Sequence, residues 1–378
     1  MIIAVPRETA PGERRVALVP DTVARLSKAG HTIRIERGAG ESAGFLDDAY
    51  AAAGATIVDR SGLFGGADLI VRVDGPSESE LAELPEGAAL IAILAPLGNP
   101  RYVEALAARK LRALAMDAIP RITRAQAMDV LSSQSNIAGY KAVILAAECL
   151  PKFFPMLTTA AGTIPPAKVL VLGAGVAGWQ AIATARRLGA VVSGYDVRAV
   201  VKEQVQSLGA TFLEFDLGAD AEGVGGYAKE LTPEQIERQR QWMLGHIAAS
   251  DVVIPTALVP GRRAPILISE EAVKGMRAGS VIVDVAADAG GNCELTTPGE
   301  VKVVHNVTIV GTTNLPSTMP LHASQLYSRN VAALLEVIVK DGALHLDRND
   351  EIVKGTLLTE NGEILHEPTK AALAGGPA

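Results

Sequence analysis

Residues 168–198 read KVLVLGAGVAGWQAIATARRLGAVVSGYDVR, and this stretch decides the fold. Val169–Leu172 has the length and composition of a buried parallel strand. Gly173, Gly175 and Gly178 follow in G-x-G-x-x-G spacing, and a helix-like run opens at Val176 and continues to Leu188. A second strand, Val191–Tyr195, leads straight into Asp196, 21 residues after Gly175. Each part has a physical task. The first glycine permits a tight turn, the second lets the backbone approach a pyrophosphate, and the third lets helix and strand pack closely. The helix N-terminus adds free N–H groups and a partial positive charge. Asp196 would accept hydrogen bonds from the adenosine ribose hydroxyls and repel a 2′-phosphate, which favours NAD(H) over NADP(H). Arg198 pulls the other way, since an arginine there could serve a 2′-phosphate.

Outward from this unit the chain alternates strand and helix. IIAVP near the N-terminus, HTIRIE, ADLIVRV, ALIAIL and RALAMDAI read as strands. Between them, Asp21 reads as the N-cap of a helix ending at Gly30, with further helices at Asp47–Ala53 and Arg101–Lys110. A long helical pattern from Ala125 into Ala147 leads toward the glycine loop. Beyond it, residues 251–255, 280–285 and 307–311 continue the strand series. The expected architecture is α/β: two Rossmann-like, doubly wound parallel-sheet domains separated by a cleft. Residues 1–135 and 316–378 would form the first and residues 136–315 the nucleotide-binding one. The returning C-terminal segment would hold a helix (Ser324–Val339) and a hairpin, EIVKGTLL and EILH, turning at Asn361-Gly362.

The bulk numbers agree with this reading. A chain of 378 residues suits two or three domains with substantial cores. A net charge of −7, not gathered into basic patches, argues against nucleic acid as a partner. Two cysteines, Cys149 and Cys293, offer neither a disulfide framework nor metal spacing and fit a reducing cytosol as small core residues. The N-terminus lacks the pattern of a secretory signal, and no stretch has the apolar length of a membrane span.

Further segments outside the glycine loop are candidates for chemistry. PRITRAQAMDVLSSQSNIAGY (120–140) sets Arg121, Gln126, Asp129 and Ser132 close to the domain crossover. If residues 125–137 are helical, Gln126 and Asp129 share a face. The segment reads either as an exposed, capped helix start or as one wall of a ligand site. GADAEGVGGYAKEL (218–231), with Gly226 and Tyr227, is either a plain surface loop or a lid over the nicotinamide. IPTALVPG, which contains Leu258, sits with VIVDVAADAGGN and GTTNLP at strand ends, where cofactors lie in this fold. The six histidines are scattered, none in a catalytic-looking motif; His322 alone merits inspection, following the Asn314–Pro316 return. An oxidation of a hydroxy or amino acid needs a group that moves a proton with the hydride. Hydride passing between two nicotinamides needs only distance, orientation and exclusion of water.

RITRAQAMDVLSSQSNIAGY, GAGVAGWQAIATARRLGA, DVRAVVKEQVQSLGA, GGYAKE and TALVPG together resemble domain I of proton-translocating NAD(P) transhydrogenase, the NAD(H)-binding region of its alpha subunit. The resemblance runs nearly the whole length and keeps motif order. It implies a homodimer that binds NAD(H) and docks on the NADP(H)-binding beta subunit. With a membrane-domain chain, that complex would sit at the cytoplasmic face of the membrane. Hydride would pass directly from NADH to NADP⁺ on the partner, coupled to proton movement through other chains. Carried over by position, Arg121, Gln126, Asp129 and Ser132, with Ile122 and Thr123 beside them, should hold the nicotinamide and its carboxamide. Tyr227 should belong to the mobile loop. Gly173, Gly175, Val176, Gly178 and the Asp196, Val197, Arg198 segment should contact pyrophosphate and adenosine ribose. Gly226 and Leu258 should line the remaining NAD surface.

Alanine dehydrogenase shares this fold and the opening pattern MIIAVPRE…ERRVALVP. That family carries a lysine in a K-V-K-E-P segment and a histidine after the next strand. Here the matching stretches read VRVDGP (71–76) and ILAPLGN (93–99), so Asp74 stands in the lysine's place and no histidine follows Leu94. The departure argues against amino-acid oxidation, although Arg14 or Arg15 could hold a carboxylate. A non-catalytic NAD-sensing subunit is the third reading, and it predicts binding without turnover even beside a partner.

Overall fold

Contacts divide the chain into two units, Met1–Gln134 joined by the segment from Ser317, and Ser135–Pro316. The computed structural model describes residues 1–215, 232–259 and 261–375.

In the first unit, six strands run parallel: β1 (Ile2–Val5), β2 (Thr32–Glu36), β3 (Thr56–Val58), β4 (Leu69–Asp74), β5 (Ala89–Ile93) and β6 (Arg112–Ala115). LIVRV and ALIAI are near-continuous apolar runs because β4 and β5 are covered on both faces. One face (Ile3, Val71, Ile91) packs on Tyr327, Val331 and Leu334 of the returning helix Pro320–Ile338. The other (Ile70, Leu90) packs on Val103 and Leu106 of helix Pro100–Ala108.

The second unit opens with a small hairpin, β7 (Leu157–Thr159) and β8 (Gly162–Ile164). Its main sheet holds β9 (Lys168–Leu172), β10 (Val191–Tyr195), β11 (Thr211–Phe212), β12 (Val252–Pro255), β13 (Val281–Val283), β14 (Val301–Val304) and β15 (Val307–Val310). The order is β11-β10-β9-β12-β13-β15-β14, parallel except for β14. From β9 the chain first builds outward through β10, then returns to place β12 on β9's other side. That reversal makes a topological switch point between β9 and β12, where this architecture receives dinucleotides.

Back in the first unit lie the two-stranded pair β16 (Val339–Lys340) and β17 (Ala343–Leu344), then β18 (Leu357–Glu360) and β19 (Glu363–Ile364). β18 pairs antiparallel with both β6 and β19, which gives the first sheet an antiparallel edge and the order β3-β2-β1-β4-β5-β6-β18-β19. Asn361 (φ 52°) and Gly362 (φ 86°) make the turn, the pair of positive φ values that a two-residue hairpin requires.

Four sequence expectations change. The first helix is Pro20–Lys28, and its N-cap is Val19 rather than Asp21. Proline's fixed φ suits the first helical position, which leaves Asp21 inside the first turn, facing the helix dipole. EIVKGT is helical (Glu351–Thr356), because the Asp350 side chain accepts from the Ile352 N–H and starts a helix. β14 and the β7–β8 hairpin were not expected; both are short and lie outside the strand–helix rhythm. Residues 125–147 are not one helix: Thr123–Met128 is a 3₁₀ turn, Asp129 leaves the helical conformation (φ −69°, ψ 89°), and the α-helix is Val130–Cys149.

Candidate dinucleotide site

The glycine loop joins β9 to helix Val176–Arg187. Gly173 sits at φ 99°, the left-handed region that admits glycine without strain. A Cβ on Gly178 would fall 1.8 Å from the Gly173 carbonyl oxygen, so the helix approaches the loop as closely as backbone allows. Gly175 precedes the helix as its N-cap, and a Cβ there would meet nothing within 4 Å. That side of the loop is open, and Val176 is exposed beside it. The first N–H groups of the helix have no partner within the helix, and the open side of Gly175 leaves room for an anion to approach them.

Two contacts hold this loop from behind. Thr256, just past β12, donates its Oγ1 hydrogen bond to the Gly173 carbonyl at 3.0 Å. Gly139, within helix Val130–Cys149, lies so near the second helix that a Cβ would come within 2.1 Å of the Ala177 carbonyl oxygen. Sequence reasoning missed Gly139, because its partner is 38 residues away in the chain and no local pattern marks it.

Asp196 ends β10 with its carboxylate fully engaged. Oδ1 accepts from the Arg198 N–H and Nε, both at 2.9 Å. Oδ2 accepts from the Ala174 N–H and an Arg198 terminal nitrogen, both at 2.8 Å. Asp196 thus ties the second strand to the glycine loop. Val197 is half-buried against the Tyr195 and Met243 cluster. Leu258 lies beyond β12, exposed. The loop that carries it is pinned by Asn292, a fully buried side chain that accepts from the Ala257 N–H at 3.0 Å and donates to the Ala257 and Pro265 carbonyls. At a neighbouring strand end, Asp288 accepts from the Asn314 N–H.

The polar set of residues 121–132 belongs to the first unit. Arg121, Thr123 and Gln126 are exposed, whereas Ile122, Asp129 and Ser132 are half-buried. Asp129 breaks the expected continuous helix and caps the one that follows, accepting from the Ser132 N–H (2.9 Å) and Ser132 Oγ (2.6 Å). Asn330 fixes this junction from the returning helix, bonding the Ala127 carbonyl and Ser133 Oγ. His322 is exposed in the first turn of that returning helix. Gly226 and Tyr227 lie outside the described residues.

Arg15 also belongs to the first unit, and its guanidinium is committed. Nε and Nη2 bond both oxygens of Glu13 at 2.9 and 2.6 Å, Nη1 bonds Gln134, and Asp74 stands 3.9 Å away. Two carboxylates and an amide therefore surround one buried cation.

Residues 4–138 match the model of the alanine dehydrogenase/PNT N-terminal domain, and residues 142–367 match that of its C-terminal domain. The chain belongs to the alanine dehydrogenase/PNT family. Within it, the first of the chains that make up the NAD(P) transhydrogenase alpha subunit of Rhodospirillum rubrum is 49% identical over 376 residues, 97% of this chain and 98% of that protein. The solved transhydrogenase of Sinorhizobium meliloti has 42% identity and a TM-score of 0.86, over 97% of this chain and 99% of that one. A solved L-alanine dehydrogenase has 28% identity and a TM-score of 0.83, over 99% of each chain. Both branches of the family share the fold, and sequence identity is higher toward the transhydrogenases.

Proposed function

We propose that this chain is the NAD(H)-binding subunit of a proton-translocating transhydrogenase, which passes hydride between NADH and NADP⁺ held on a partner subunit. The observation that carries the reading is the glycine loop at the β9–β12 switch point in a chain 49% identical to a transhydrogenase alpha-subunit chain. Bound at that loop, NAD(H) supplies the hydride. The first turn of helix Val176–Arg187 would neutralise the pyrophosphate, and Asp196 with Val197 and Arg198 would receive the adenosine ribose. Arg121, Gln126, Asp129 and Ser132, with Ile122 and Thr123, would orient the nicotinamide and its carboxamide, and Leu258 would line the remaining surface. None of these groups needs to move a proton. They organise a donor.

The alternative, amino-acid oxidation, requires a cation free to hold the substrate carboxylate. Of the two arginines the sequence offers, Arg15 is already closed by Glu13 and Gln134, with Asp74 beside it to repel a second carboxylate, and Arg14 is exposed. Among the described residues no helix is long and apolar enough to cross a membrane. By the family likeness, the subunit would work as a homodimer held at the inner membrane face by its beta subunit and membrane-domain chain. Exposed Phe153, Met156 and Ile164 in and beside the β7–β8 hairpin supply apolar surface for assembly.

Fluorescence titration with NADH and NADPH, run beside an absorbance assay with NAD⁺ and L-alanine, tests this. Selective NADH binding with no NAD⁺ reduction is expected. Alanine-dependent NADH formation by the chain alone would replace this reading with the dehydrogenase one.

A further inference from the structure

A carboxylate offers about four acceptor positions, two per oxygen. In Asp196 all four are taken by N–H groups: Arg198 N and Nε on Oδ1, Ala174 N and an Arg198 terminal nitrogen on Oδ2. The two backbone donors cannot leave without moving the β10 end or the glycine loop. The two guanidinium donors can, because Arg198 reaches them with a flexible side chain that is itself partly exposed (17%, against 6% for Asp196). A ribose diol also offers two donors. Recognition of a 2′,3′-diol by Asp196 is therefore an exchange, with two guanidinium hydrogen bonds broken and two hydroxyl hydrogen bonds made.

We infer that Arg198 is the specificity-setting residue of this site, an internal competitor that occupies Asp196 until a ribose diol displaces it. The inference rests on the proposed NAD(H) site. It changes what the acid alone would do. Paired with Arg198, Asp196 presents no net charge, so its repulsion of a 2′-phosphate is muted. The guanidinium, once released, lies where it could meet that phosphate. The acid selects for the diol, and the arginine lowers the selectivity the acid would otherwise impose.

Removing each partner separates these roles. Nucleotide binding to the full chain is measured by titration calorimetry for wild type, Arg198→Ala, Asp196→Ala and the double variant, with Gly178→Ala as a control on the site. Arg198→Ala should tighten NADH several-fold and weaken NADPH, widening the preference roughly tenfold, about 1.4 kcal/mol. Asp196→Ala should tighten NADPH, and the double variant should lose that gain, because the gain comes from the freed guanidinium. Arg198→Lys should keep some of the wild-type ratio. A purely structural arginine would shift both nucleotides together. An unchanged NADH/NADPH ratio in Arg198→Ala, or a double variant that binds NADPH as well as Asp196→Ala does, would overturn the inference. Wild-type protein that binds neither nucleotide, or binding that survives Gly178→Ala, would instead overturn the site on which it rests.

Discussion

Burial decides what single side chains in the first unit can do. Glu8 accepts from the Val73 N–H at 2.7 Å and faces Arg72 at 3.3 Å, and both side chains are almost wholly enclosed. Burial pushes the Glu8 carboxyl up to about 7, against the pull of Arg72 and the Val73 hydrogen bond; Asp74 and Glu13 push the same way. Asp74 rises to about 6 through burial and the neighbouring Glu13, opposed by Arg15. A carboxyl whose pKa is raised on folding contributes stability at low pH that is lost as pH climbs through the folded value. Glu80 moves the other way, to about 2, where the Ser77 N–H and Arg72 outweigh its burial, so its contribution changes only in acid. Glu8→Gln fixes the neutral form. Its melting temperature should gain on wild type between pH 6 and pH 8, as calorimetric scans at the two values would show. A pH-independent difference would mean that Glu8 is already ionised in the folded protein at pH 6. The same scale sets the limits of the sequence. Asp196 is legible from its place at a strand end, but the saturation of its carboxylate by Arg198 and Ala174 is a matter of side-chain geometry. Asp74 in place of lysine is legible too, whereas the clasp of Glu13 on Arg15 needs the fold of residues 13–15.

At the level of elements, the junction at Asp129 joins structure to proposed chemistry. The residue ends one 3₁₀ turn and caps the following helix through Ser132. Loss of such a cap costs about 1 kcal/mol, while asparagine keeps the acceptor and removes the charge. Asp129→Ala should therefore lower both the melting temperature and the rate of hydride transfer to partner-bound NADP⁺, whereas Asp129→Asn should lower the rate alone. A wild-type rate in Asp129→Asn would remove the carboxylate from the nicotinamide site. The sequence predicted a single helix here because its apolar spacing passes through position 129 without a proline or glycine to mark a stop. Strong local signals fared better. The apolar runs of β4, β5, β9 and β12 and the Asn361-Gly362 turn carry their instructions within a few residues. Gly139 and Asn292 do not, since one is defined by a neighbouring helix and the other by a loop 35 residues away.

For the whole molecule, contacts give two α/β units, and the two family-domain matches, residues 4–138 and 142–367, divide the chain differently, because residues 317–367 of the C-terminal match return to the first unit. The fold is shared with alanine dehydrogenase, so fold alone does not choose the reaction. The proposed choice comes from residues: an engaged Arg15, an acid at position 74, and a candidate dinucleotide loop beside which, among the described residues, no proton-moving group is singled out. These features support the proposed reading, in which the protein holds a hydride donor and leaves the acceptor to a partner. The most direct measurement is single-turnover hydride transfer, with this chain loaded with NADH and mixed with an NADP⁺-loaded transhydrogenase beta subunit. Fast NADPH formation that requires both proteins, and is unaffected by L-alanine or pyruvate, is the predicted result. No transfer to the partner's NADP⁺, despite saturating NADH binding by this chain, would contradict it.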